Sequence, residues 1–164
     1  MPMIDSFLQE LEMEVPATRR LIERLPEDKF GWPHEKAYSL GQLALHVATT
    51  PGNVAQMSLK DMTEPPNFQQ PAAETRAQLL DALEKSIATA KQSLAGMDDA
   101  KLQSMWKFVR DGKTMMEIPR AGVLRMIMLN HRYHHRGQLS TYLRSLGVAV
   151  PSVYGPTADE NPFA

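Results

Sequence analysis

PRAGVLRMIMLNHRYHHRGQLSTYLRSLG, residues 119–147, reads as one long helix with its own start and stop. Pro119 suits a first helical turn, where the N–H it lacks would have no partner anyway. Gly147 suits the end, because glycine enters the left-handed backbone region at little cost. Inside lies NHRYHHRGQ, residues 130–138, which holds three of the five histidines of the chain. Side chains on a helix advance by about 100° per residue. With His131 at zero, Leu124 and Tyr142 fall at about 20°, His135 at about 40° and Met128 at about 60°. His131 and His135 therefore sit within the apolar stripe. His134 lies roughly 60° to the other side and Gln138 at about −20°.

Three further helices are legible upstream. Residues 4–25 form an amphipathic pattern through Phe7, Leu8, Leu11, Val15, Leu21, Ile22 and Leu25, with a kink or break expected at Pro16. A second helix opens on the S-x-x-Q capping box of Ser39 and Gln42. Its stripe is Leu40, Leu43, Val47 and Val54, His46 lies on that stripe, and Pro51-Gly52 should interrupt or bend it before Met62. A third runs from about Ala72 to Leu94, burying Leu79, Leu80, Leu83, Ile87, Ala90 and Leu94, with Gly96 as its stop. The segments 26–39 and TEPPNFQQP read as loops. Asp111-Gly112 between short apolar-rich runs is a hairpin signal. The tail VAVPSVYGPTADENPFA should lie irregularly over the surface. The expected fold is all-α: a four-helix bundle with a small β-hairpin insertion before the last helix, in a single domain over residues 1–164.

Bulk composition narrows the function. A chain of 164 residues with 43% hydrophobic and 23% charged residues is an ordinary globular sequence. Its net charge of −1 argues against nucleic-acid binding, which needs concentrated Lys and Arg. The absence of cysteine excludes disulfides, thiolate ligands and a cysteine nucleophile. MPMIDSFLQELEMEV carries acids early and no long apolar core, so no secretory signal is expected. AGVLRMIML is interrupted by Arg125 and is too short to cross a bilayer. A soluble, cytoplasmic protein without membrane association is the expectation.

Two imidazoles at i, i+4 project side by side and can ligate one divalent metal. A lone HxxxH pair is more often a surface or hydrogen-bonded pair. His46, on the apolar stripe of another helix, can supply a third nitrogen, and burying three unpartnered imidazoles together would otherwise be costly. Three ligands leave a coordination position open, as in catalytic rather than structural sites. His34, in a loop beside Pro33 and Glu35, reads as a solvated side chain. Gln138 could bond a metal-bound water or cap a buried polar group. Gly137 suggests close approach of another backbone, and Trp32 and Tyr142 read as core that could also line a pocket.

SLGQLALHVA (39–48), NHRYHHRGQLSTYLRSLGV (130–148) and PSVYGPTADE (151–160) together resemble the DinB-like family. It is also known as the YfiT-like metal-dependent hydrolases, named for DNA-damage-inducible expression and distinct from the translesion polymerase. The resemblance covers nearly the whole chain. It implies an up-down-down-up bundle, usually a homodimer, with His46, His131 and His135 on one divalent metal and His134 as a non-ligating neighbour. It further implies a small-molecule substrate. Relatives include transferases using a low-molecular-weight thiol such as bacillithiol or mycothiol, and a mycothiol-dependent maleylpyruvate isomerase. No motif here matches one assigned subfamily. The expected function is thus a metal-dependent enzyme, a thiol-dependent transferase or a hydrolase, in which zinc, nickel or ferrous iron activates a thiol or a water. His134 or Gln138 could assist. The alternative is a non-catalytic, stress-related bundle that binds a metal or ligand.

Overall fold

The computed structural model describes residues 2–32, 36–64 and 71–164. Helices dominate it: α1 (Met3–Glu23), α2 (Leu40–Leu59), α3 (Arg76–Leu94), a short α4 (Asp99–Gln103), and a final rod in three pieces. That rod is α5 (Arg120–Val123), a π-helical stretch (Leu124–His131) and α6 (Arg132–Ser145). Among the described residues no helix is long and apolar enough to cross a membrane.

Both inner prolines are absorbed. α1 runs unbroken through Pro16, where a break or kink was the expectation. Burial on both sides of it, through Phe7 and Leu11 before and Leu21 and Ile22 after, outweighs one lost backbone hydrogen bond. α2 likewise continues through Pro51-Gly52 to Leu59. There Ser86 of α3 braces the backbone on both sides of Pro51: its Oγ accepts from Gly52 N (2.8 Å) and donates to Thr49 O (3.1 Å). A Cβ on Gly52 would stand 2.9 Å from Ser86 O, so glycine is what lets α2 and α3 touch.

The start of α2 follows the sequence pattern, with both halves of the Ser39–Gln42 capping box formed. α3 starts later than residue 72, because Thr75 and Gln78 make a second capping box. The expected hairpin is β2 (Met105–Arg110) with β3 (Lys113–Pro119). Asp111 (φ 50°) and Gly112 (φ 73°) both take the left-handed backbone that the tightest hairpin turns require. A two-residue strand β1 (Met62–Thr63) pairs parallel to β2 and completes a three-stranded sheet. Arg120, 1% exposed, secures it: Nε donates to Ser58 O (2.9 Å) and Nη1 to Ser104 Oγ (2.6 Å) and Met105 O (2.9 Å).

The core divides in two. One cluster gathers Leu21, Leu43, Val47, Leu83, Leu139 and Leu143; the other gathers Leu11, Val54, Trp106, Leu124, Met128 and Leu129. Along the final rod His131 and His135 fall between them. The tail after Gly147 is irregular but pinned, with Val150 and Ser152 buried. Val150 N donates to Asp159 Oδ2 (2.8 Å) and Ser152 N to Glu160 Oε2 (2.8 Å).

Candidate metal centre

His46 comes from the middle of α2, His131 from the last residue of the π-helical stretch and His135 from the first turn of α6. The wider π turn re-phases the rod just before the first of its two histidines. Such π segments are common at functional sites, and nothing in a 3.6-residue pattern announces one. After it, i, i+4 spacing in α geometry keeps His131 and His135 on one face, as the wheel predicts.

The three half-buried rings converge. One ring nitrogen from each lies within 4.8 Å of the others. Ring centroids are 5.1 Å apart for His46 and His131, 4.7 Å for His46 and His135, and 4.3 Å for His131 and His135. The planes are near perpendicular, at 84°, 87° and 85°, so the rings meet edge to face rather than stacking. The Nε2 atoms of His46 and His131 are 2.9 Å apart. Two cations would not be held so close, and burial accounts for their neutrality. Desolvation first, then the neighbouring imidazoles, lowers the pKa of His46 to about 4. The same causes lower His131, while for His135 burial outweighs the opposing hydrogen bond to Gln138 Oε1.

Three imidazoles, each offering a ring nitrogen that converges with the others, form a donor set that fits a divalent ion. The group could hold a metal. Zinc, nickel and iron all accept imidazole nitrogen, so the donor set alone names none of them.

His134 is exposed and outside the converging group, with its ring 5.0 Å from that of His135 between centroids. His34 lies outside the described residues. Gly137 does not admit another backbone, contrary to expectation: a Cβ there would meet nothing within 4 Å. The glycines that do are Gly52 and Gly41, whose Cβ would stand 2.7 Å from Ala73 O. A cleft of about 480 Å³ opens beside His135, lined by Ala37, Tyr38, Leu43, Gln138 and Tyr142 among others. Tyr142 holds its wall by donating from its hydroxyl to Tyr38 O (3.1 Å), with Trp32 packed edge-on against it at 5.1 Å. A slightly larger depression of about 550 Å³, between the start of α1 and the α3–α4 turn, holds no histidine. Its Asp98 and Asp99 are engaged by the backbone N–H groups of Lys101 and Met3.

The buried arginines escaped the sequence reading. Arg132 is 0% and Arg136 2% exposed, each one residue after a histidine of the group. Arg136 pairs with Glu14 of α1 at 2.6 Å, and Arg132 Nη2 donates to Thr18 Oγ1 at 3.0 Å. The available signal was spacing: Arg132 and Arg136 are themselves i, i+4, so they share a face of their own.

With that geometry established, the likeness to known proteins is specific. The DinB family matches residues 1–161, and the chain belongs to that family. It is 30% identical to the Bacillus subtilis (strain 168) protein YrdA, over 96% of this chain and 91% of the other. In fold it is similar to a DinB-like protein of Bacillus cereus (TM-score 0.72, 22% identity, 92% of this chain and 97% of that one). It also shares its fold, more distantly, with the mycothiol-dependent maleylpyruvate isomerase (TM-score 0.52, 16% identity, 93% of this chain and 66% of that one).

Proposed function

We propose that the protein is a metal-dependent enzyme acting on a small molecule, with His46, His131 and His135 as the ligands of one divalent ion. The observation that carries this reading is the convergence of three neutral imidazole nitrogens within 4.8 Å at the edge of a cleft. An ion held there would acidify a water or a small thiol in its open position, so that the anion forms near neutrality. The ligand set is uncharged, which leaves the ion its full charge and favours an anion beside it. The chain has no cysteine, so a nucleophilic sulfur must be brought in by a low-molecular-weight thiol such as bacillithiol or mycothiol. Tyr38, Leu43 and Tyr142 give that cleft an apolar wall against bulk water, and transfer to a thiol is favoured over hydrolysis. Zinc, nickel or ferrous iron suits the site. His134 stays a non-ligand.

The same reading takes residues 1–164 as one domain, an up-down-down-up four-helix bundle with the sheet before its last helix. It takes the molecule as a cytoplasmic homodimer without nucleic-acid or membrane partners. The rival is a non-catalytic, stress-related bundle. The 2.9 Å contact between His46 and His131 favours it to one extent: a shared N–H···N bond satisfies two buried rings with no ion at all.

Elemental analysis of protein purified without a nickel column tests the first reading, with about one ion per chain expected. His46→Ala, His131→Ala and His135→Ala should each abolish tight binding, and His134→Ala should leave it within a few-fold. Damage from His134→Ala equal to that from His135→Ala would refute the ligand assignment. In thiol titrations of the zinc, nickel and iron forms, hydrolysis without thiol binding would turn the reading to a hydrolase. A full metal complement with neither activity would favour the rival.

A further inference from the structure

We propose that Gln138 is the positioning residue of this centre and acts through His135, an inference that rests on the metal reading above. Gln138 follows His135 by three residues on α6, and its Oε1 lies 2.7 Å from His135 Nδ1. An amide oxygen only accepts, so the proton of the bond must sit on Nδ1. A neutral imidazole has one such proton. Nε2 of His135 is therefore left as a bare lone pair on the side of the ring away from Gln138.

That is the nitrogen the other two rings call for. His46 and His131 already meet through Nε2, and the His135 ring stands 4.7 Å and 4.3 Å from theirs. Without an acceptor at Nδ1, a neutral imidazole distributes its proton over both nitrogens and its ring turns more freely. Only the form protonated at Nδ1 offers Nε2 to the shared point. The amide also differs from the carboxylate that often stands behind a ligating histidine. It orients the ring without adding negative charge, so the ligand shell stays neutral. Gln138 thus explains how the His135 ring is held in register. It takes this role in place of bonding a metal-bound water.

The test compares wild type with Gln138→Leu, which keeps the bulk and removes the acceptor, and Gln138→Glu, which keeps the acceptor. Two measurements are made: zinc affinity by competition with a chelating dye, and the His135 tautomer in the ion-free protein by long-range 15N–1H NMR at pH 8. Wild type should show His135 protonated at Nδ1. Gln138→Leu should show a mixture and bind zinc about 10- to 100-fold more weakly, while Gln138→Glu stays within a few-fold of wild type. Because the side chain is exposed, the melting temperature of the ion-free protein should not move, which separates positioning from a structural role. Wild type protonated at Nε2 would overturn the inference, as would Gln138→Leu binding zinc as tightly as wild type. A wild type that binds no zinc would instead overturn the metal reading.

Discussion

The last helix presents two different faces built from the same two-residue unit, His131-Arg132 and His135-Arg136. The imidazoles face α2 and the guanidiniums face α1. On the histidine side, burial, followed by the neighbouring imidazoles, removes the charge, lowering His46 to about 4. On the arginine side it cannot. Desolvation is the main cause that lowers Arg132, yet only to about 10, so the group remains a buried cation at neutral pH. That face must be partnered within the fold. Arg136 has the Glu14 carboxylate and lies over the rings of Tyr133 and Tyr154, 5.1 and 5.0 Å from their centroids. Arg132 has Thr18 Oγ1, while its Nε and Nη1 have no partner among the described residues. One face finds most of its partners within the fold and the other stands ready for a cation.

The largest expected effect breaks the arginine side. Arg136→Met removes the ion-pair partner of the Glu14 carboxylate, 16% exposed, and leaves it the Tyr154 hydroxyl at 3.0 Å. Uncoupling a buried pair in this way costs about 3–5 kcal/mol. His135→Ala, on the half-buried face, should cost the ion-free protein far less while abolishing metal binding. Urea denaturation of both variants checks the contrast, and Glu14→Gln should partly rescue Arg136→Met. Equal losses for the two variants would show that the faces do not divide stability from binding.

That division was only half legible from residues. The histidine side could be read because i, i+4 spacing survives wherever the local backbone is α-helical, and His46 lies on an apolar stripe. The capping box at Ser39 and the Asp111-Gly112 turn were legible because their chemistry is local. What escaped depends on tertiary partners. Arg132 and Arg136 gain their meaning only from Glu14 and Thr18, which arrive from α1. Pro51 looks like a break until Ser86 of α3 bonds to the backbone on both sides of it. The π stretch and the two-residue β1 have no periodic signature at all.

An intermediate effect sharpens the histidine side through pH. The three rings have folded-state pKa values lowered below the usual 6.5, so the unfolded chain binds more protons wherever pH lies between the two. Stability of the ion-free protein is therefore fully present above pH 6.5 and falls as the pH drops toward about 4, the folded value for His46. The upper part of that window belongs to the histidines. The lowered carboxylates Glu10, Asp61 and Asp159 start from ordinary values of 4.5, 3.8 and 3.8 and lose their contribution only below these. Melting temperatures of the ion-free protein between pH 8 and 4.5 should fall most steeply below 6.5, and His46→Gln should flatten the decline. A flat wild-type profile would mean that the rings are not held neutral by burial.

The smallest effect comes from the outward, exposed side of the same helix, away from the metal-site histidines and the buried arginines. Gly137 is exposed and a Cβ there meets nothing within 4 Å, and its φ is not in the left-handed region, unlike that of Gly147 at 71°. Glycine in a helix interior costs about 0.5–1 kcal/mol relative to alanine, so Gly137→Ala should stabilise by that amount. It should also leave metal affinity unchanged, because neither the His135 bond to Gln138 nor the ring geometry passes through that position. Gly52→Ala is the opposite case. Its Cβ would press on the Ser86 backbone at 2.9 Å, where two helices would have to part, and overpacking of this kind costs about 1–3 kcal/mol. Thermal melts of the two alanine variants should therefore move in opposite directions. A loss of stability in Gly137→Ala would mean that the outward face of α6 is covered by something in solution, which the proposed homodimer would supply.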